Sequence, residues 1–212
     1  MKIAIDAYHT LYPSGGIARY SRGLIGALAA AAPGARFTLF VNRFREKGPA
    51  WTPDRENVSL REVFFPRRLL TGLWDAAGWP AIESFLGDID IFHGLHFVLP
   101  PARKAKRVLT VHDLTYLRFP HYFADRRLNE RGYRHELQRG LERSDAVIAV
   151  SESTRRDLIE LTDYPGERIR TIHEGVSPHF FEDVEPSSAD RTRKRYAIPG
   201  PCIVFLFGTP AP

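Results

Sequence analysis

Cysteine is almost absent from this sequence. Cys202 stands alone among 212 residues, so no disulfide can close within the chain and no cysteine-rich zinc site is available. A reducing cytoplasm is the expected setting. Long apolar runs are missing too: no segment approaches the roughly 18 residues that span a bilayer. The opening MKIAID, Met1 to Asp6, enters a strand without the apolar core of a signal peptide. The dinucleotide fingerprint G-x-G-x-x-G is lacking as well, since Ile17 and Tyr20 stand where its later glycines would fall after Gly15. No acidic residue closes the second apolar run, where Asn42-Arg43 follows Val41, and no Walker lysine accompanies the glycines. These absences argue against a nicotinamide-dependent oxidoreductase and a P-loop enzyme.

What is present is the composition of a soluble globular protein, 43% hydrophobic, enough for one generous domain and the start of another. The net charge is +5, from 30 basic and 25 acidic residues. The basic side is mostly arginine, which suits phosphate, carboxylate or an anionic surface, or a solvated basic face. Apolar runs and helical periodicities alternate. Lys2–Asp6, Arg36–Val41, Asn57–Val63, Ile89–His93, Arg107–His112, Ala146–Val150 and Arg168–His173 read as strands, most of them short buried runs. Between the first two, Ile17, Tyr20, Leu24, Leu28 and Ala31 recur at helical spacing until Pro33-Gly34. Ala124–Arg143 reads as a charged surface helix, and Ser151 suits the N-cap of the helix that follows. The pattern predicts an α/β fold, a Rossmann-like doubly wound, mostly parallel sheet. After a polar stretch from Glu182 to Arg195, Pro201–Gly208 reads as a fresh strand, the expected beginning of a second domain.

Candidate sites gather at predicted strand ends, where open α/β sheets bind ligands. Gly15-Gly16 follows the first strand and opens a helix, so it either cradles phosphate with backbone N–H groups or makes a tight turn. His93-Gly-Leu-His96 and His112-Asp113 end two further strands. Their readings are polar substrate contacts, satisfied loop histidines or a metal site. Phe64–Pro80 interleaves aromatics with arginine, and Leu69, Leu70, Leu73 and Trp74 fall at helical spacing. That face either packs on the sheet or docks on a membrane or a lipid-linked substrate. Aromatic and basic residues are not repeated along strands as an RNA platform requires, so nucleic acid is not an expected partner.

Five segments carry a resemblance: GGIARYSRGL from Gly15, TVHDLTYLRFPHYF from Thr110, SDAVIAVSESTRRDL from Ser144, IRTIHEGVSPHFF from Ile169 and the terminal FLFGTPAP. In that order they resemble the amino-terminal half of a retaining GT-B glycosyltransferase of the bacterial group 1 family. The resemblance implies two Rossmann-like domains facing across a cleft, the first mainly for acceptor and the second mainly for nucleotide-sugar. It implies an acceptor-side domain at 1–181, a linker at 182–200 and the start of a truncated donor-binding domain at 201–212. Gly15 and Gly16, with Arg19, would approach the donor diphosphate and the acceptor. His112 would contact the transferring sugar as the catalytic residue, Asp113 would shape its turn, and Ser151 and Glu152 would line the cleft. The implied activity is transfer of a hexose such as mannose or glucose from a UDP- or GDP-linked donor to a glycan or lipid-linked acceptor, with retention. No obligatory metal or other cofactor is expected. The implied setting is cytoplasmic, with peripheral contact at the inner face of the membrane permitted. Where many relatives carry Pro-Asn-Gly, this chain has His173-Glu174-Gly175. The donor-binding signature belongs to the second domain, so the 212 residues alone are expected to have little or no transferase activity. The competing classes are a noncatalytic sugar- or lipid-binding module, and an oxidoreductase or metal hydrolase built on the histidines.

Overall fold

The computed structural model describes residues 1–46, 50–123, 130–200 and 202. The strand expected at 201–208 lies, apart from Cys202, outside these residues, and so does the 124–129 part of the charged helix. The chain divides into two compact units between Glu174 and Gly175.

The first unit runs β1 (Lys2–Asp6), α1 (Gly16–Ala31), β2 (Arg36–Asn42), β3 (Val58–Val63), α2 (Arg67–Ala77) and a short α3 (Glu83–Leu86). It continues with β4 (Ile91–Gly94), β5 (Lys106–Val111), a single turn α4 (Thr115–Arg118), α5 (Glu130–Arg143), β6 (Ala146–Ala149), α6 (Glu152–Thr162) and β7 (Ile169–Thr171). The seven strands form one sheet in the order β3-β2-β1-β4-β5-β6-β7, and every pairing is parallel. Alternate side chains leave a strand on opposite faces, and the two faces have separate cores. Ile5, Phe37, Leu39 and Val41 pack with Ile25 and Ala29 of α1. Ala4, Phe40 and Phe92 face the other way, into a core with Leu109, Leu137, Leu141 and Leu158. Strands covered on both faces are apolar almost throughout, which is why they read as continuous runs.

In α1 the fully buried line is Ala18, Ser21, Ile25 and Ala29, one position round from the line of larger side chains that marks the helix in the sequence. Small side chains let the helix approach the sheet, and Tyr20, Leu24 and Leu28 flank that seam. In α2, Leu70 and Trp74 are buried while Leu69 remains exposed. This helix both packs inward and keeps apolar surface. The second unit contains α7 (Pro186–Arg195), with Arg193, Lys194 and Arg195 in its last turn, where cations suit the helix dipole.

The 95–105 loop, which carries His96 from β4 to β5, is tied down at its far end by Glu83. The Glu83 carboxylate accepts the backbone N–H groups of Arg103, Lys104 and Ala105. Partial burial raises its pKa, but the three amides outweigh it and hold the group down at about 2, against an ordinary 4.5. A carboxylate depressed on folding stabilises above its unfolded value and loses that contribution as pH falls through the folded one. Glu83→Gln should therefore be less stable than the parent at pH 7, with the gap closing between about pH 4.5 and 2. Urea midpoints at pH 7 and pH 3 check this; a gap independent of pH refutes it.

Candidate active site

From β1 the chain runs outward to β3, then returns to β4 on the other side of β1 and continues to β7. The order therefore reverses between β1 and β4, and such a reversal opens a crevice at the carboxyl ends of the strands. Asp6, His93 and, just past the strands, His96 and His112 all belong to that edge.

The segment after β1 is held from within. The Asp6 carboxylate accepts the Tyr8 N–H at 3.1 Å, and the Thr10 hydroxyl donates to the Ala7 carbonyl at 2.7 Å. Arg22 reaches back from α1 to donate to the carbonyls of Thr10, Tyr12 and Pro13. Nothing in the sequence distinguishes Arg22 from a solvated helical arginine, yet it clasps the whole approach to the glycine pair. Gly15 is the N-cap of α1 and has φ +116°, a conformation open to glycine and strained for other residues. A Cβ at Gly15 or Gly16 would meet nothing within 4 Å. Backbone conformation, not crowding within the chain, therefore calls for glycine at 15, and the space beside both residues is open. Arg19 lies exposed on the first turn, its N–H bonded to the Gly15 carbonyl at 3.0 Å.

His112 follows β5, and one turn of α1 beyond Gly16 Tyr20 meets it edge to face, the rings 4.8 Å apart at 90°. The imidazole Nδ1 is 2.8 Å from a Glu174 carboxylate oxygen and the Nε2 is 3.1 Å from the Leu95 carbonyl. Thr154 donates its hydroxyl to the His112 carbonyl at 2.9 Å. Ser151 caps α6 by accepting the Thr154 N–H at 3.0 Å, and its hydroxyl also contacts that of Thr154 at 2.9 Å. Ser151 thus acts on His112 through Thr154, while Glu152 lies exposed in the first turn of α6. The Asp113 carboxylate accepts the Thr115 N–H at 2.9 Å and opens the α4 turn. Tyr20 and Glu174 thus meet the His112 ring, and of the expected residues Ser151 reaches His112 through Thr154.

Three other histidines at this edge, His9, His93 and His96, are held neutral by burial. Burial pushes His96 down to about 3, helped by its neighbours His9, His112 and Arg67, and pushes His9 to about 4, helped by Arg67 and His112. The two rings lie 5.0 Å apart. His93, at about 4 from burial alone, bonds the Thr110 hydroxyl at 2.9 Å and is a satisfied core histidine. Among the described residues no three His, Cys, Asp or Glu side chains are grouped to hold a metal ion. Beside them a small cleft of about 40 Å³ opens at the ends of β1 and β2, lined by Asp6, Tyr8, Asn42, Arg67, Thr71 and Trp74 among others. Burial raises the pKa of Asp6 against the Tyr8 amide and the Arg67 charge, and Arg67 stacks over the Tyr8 ring at 4.5 Å. Its apolar walls and few convergent polar groups suit contact with one edge of a ligand.

Comparison with known proteins bears on the family and the fold. Residues 14–180 match the profile of Glycosyltransferase Family 4. The whole chain aligns with O-antigen chain mannosyltransferase B of Escherichia coli at 26% identity, covering 57% of that protein. About half of the chain, 48%, aligns at 31% identity with the serotype-specific mannosyltransferase WbdA of Escherichia coli, covering 12% of it. Among solved structures, Anabaena Alr3699/HepE in complex with UDP-glucose superposes with a TM-score of 0.51 at 15% identity, over 93% of this chain and 50% of that one. A glycosyltransferase from Rickettsia africae gives 0.51 at 18% identity, over 94% and 50%. The chain thus spans little more than half the length of the mannosyltransferase it matches end to end, and half of each structure. No helix among the described residues is long and apolar enough to cross a membrane. With the family profile covering most of its length and the sheet in this order, the chain belongs to glycosyltransferase family 4 and has the Rossmann-like fold of an amino-terminal GT-B domain.

Proposed function

We propose that this domain forms the acceptor side of a retaining hexosyltransferase that uses a nucleotide-sugar, UDP- or GDP-linked, to extend a glycan or a lipid-linked acceptor. The observation that carries the reading is the juxtaposition of His112, at the end of β5, with the first turns of α1 at the point where the strand order reverses. A helix start behind an open glycine pair offers N–H groups and a positive end to a diphosphate. His112 beside it would contact the transferring sugar, and preorganised charges and dipoles of this kind stabilise the charge that develops on the leaving diphosphate. The polar rim of the small cleft, Asp6, Tyr8, Asn42 and Arg67, would meet an edge of the acceptor, carboxyl and amide groups meeting hydroxyls. The mannosyltransferase names of the Escherichia coli relatives and the UDP-glucose bound to the Anabaena protein support mannose or glucose as the sugar. No step in this reading needs a metal. Exposed Phe64, Leu69 and Trp79 near the arginines of α2 support peripheral contact with a membrane from the cytoplasmic side.

The test is a screen of UDP- and GDP-hexoses with the chain extended by a second GT-B domain, following release of the nucleoside diphosphate. One donor should be consumed, with retention at the anomeric carbon, and the 212-residue chain alone should be nearly inactive. A well-folded extended protein that consumes no donor would overturn the reading and leave a noncatalytic sugar- or lipid-binding module.

A further inference from the structure

We infer that Glu174 is a positioning residue for His112, its carboxylate and the Leu95 carbonyl together holding the imidazole as a double donor fixed in one orientation; this rests on the role given to His112 above. Nδ1 faces a carboxylate oxygen at 2.8 Å and Nε2 faces a carbonyl oxygen at 3.1 Å. Both partners accept, so a ring that satisfies both carries both protons. A ring with one proton would point a lone pair at one of the two oxygens. The ring's remaining freedom is taken up by Tyr20, packed edge-on at 4.8 Å, and the His112 side chain is only 14% exposed.

The placement of Glu174 requires a specific chain path. His112 follows β5 and Glu174 follows β7, with β6 between them, a separation of about 10 Å at the usual strand spacing. The Ile172 N–H still bonds the Ala149 carbonyl at 2.9 Å. The chain therefore stays with β6 until two residues before Glu174, and the carboxylate then reaches back across the end of β6. The other titratable groups facing the ring are His9, His96 and Tyr20. The two histidines are held neutral by burial, at about 4 and 3, and the Tyr20 hydroxyl is turned to Thr110 at 3.4 Å. Glu174 is thus the anion that matches a second ring proton. The consequence is a fixed positive group beside the start of α1, facing the place a diphosphate would occupy.

Long-range nitrogen–proton NMR of the histidine rings in the 212-residue chain, compared with Glu174→Ala and Glu174→Gln, tests the pairing directly. The parent should show His112 with protons on both nitrogens at pH 7. Glu174→Ala should lose the Nδ1 proton or its protection from exchange, and Glu174→Gln, which keeps a neutral acceptor, should fall between. In the extended two-domain protein Glu174→Ala should lower kcat at least about tenfold with KM within about twofold, the pattern of a lost transition-state interaction, and Glu174→Gln should restore part of it. His112 ring signals unchanged in Glu174→Ala, with the amide spectrum otherwise intact, would overturn the inference. So would a kcat equal to the parent's. If the extended parent transfers no sugar, the proposed function fails while the ring signals still decide the pairing.

Discussion

His112→Ala in the two-domain protein is expected to lower transfer by about 10² to 10³, the order of loss seen when one preorganised group aimed at a developing charge is removed. The substitution deletes a side chain that links three separate elements of the site and leaves the backbone link to a fourth. Its ring meets Tyr20 of α1, the Leu95 carbonyl after β4, and Glu174 after β7, while its own carbonyl is held by Thr154 of α6. The stability lost should be modest by comparison. Two hydrogen bonds at a partly exposed site are worth about 1–3 kcal/mol together, and for a domain of this size that lowers Tm by roughly 2–4 °C per kcal/mol. The folded protein should remain the dominant species at 25 °C, so lost activity cannot be ascribed to unfolding. Turnover and thermal unfolding measured on the same preparation separate the two effects. Activity within about threefold of the parent would remove His112 from the chemistry and leave it as a connector of strand ends.

How far this was legible in the sequence depends on the range of the interaction. Arg36–Val41 and Ala146–Val150 announce buried parallel strands because both faces of each are covered, and a continuous apolar run needs no knowledge of its neighbours. His112 is marked by its place at the end of such a run. The pairing of His112 with Glu174 bridges 62 residues, and no local pattern reports it. Arg22 has the same difficulty at shorter range: on a helix an arginine reads as solvent-facing, while here its guanidinium is spent on three carbonyls of the preceding loop. The buried line of α1 was displaced by one position because larger apolar side chains dominate a periodicity while the smaller Ala18 and Ser21 make the closest approach. In each case the missing information is the identity of a partner on another element.

Gly140→Ala brings that lesson to its largest expected effect on stability. Within the charged helix sequence ERGYRHELQRGLER a glycine looks like a defect, since alanine in an exposed helix interior is favoured over glycine by about 1 kcal/mol. Propensity alone therefore predicts that the substitution stabilises. The structure predicts the opposite: a Cβ at Gly140 would collide with the carbonyl oxygen of Phe97 and stand 3.2 Å from the Leu109 side chain. The obstacle is backbone, so no rotamer change relieves it. Either α5 must move off the sheet, pulling Leu137 and Leu141 from the core, or the 95–105 loop must shift. Overpacking of this kind typically costs about 1–3 kcal/mol, occasionally more, and here it should reach the upper part of that range even after the propensity gain. The loop is the same one that offers the Leu95 carbonyl to His112 and carries His96. A shift of Phe97 should therefore reach the site, two residues away from the Leu95 carbonyl. Denaturant unfolding should show a midpoint well below the parent's, and the His112 ring signals should move with it. A variant at least as stable as the parent would mean that α5 does not approach the Phe97 backbone this closely, and that helix propensity decides the position after all.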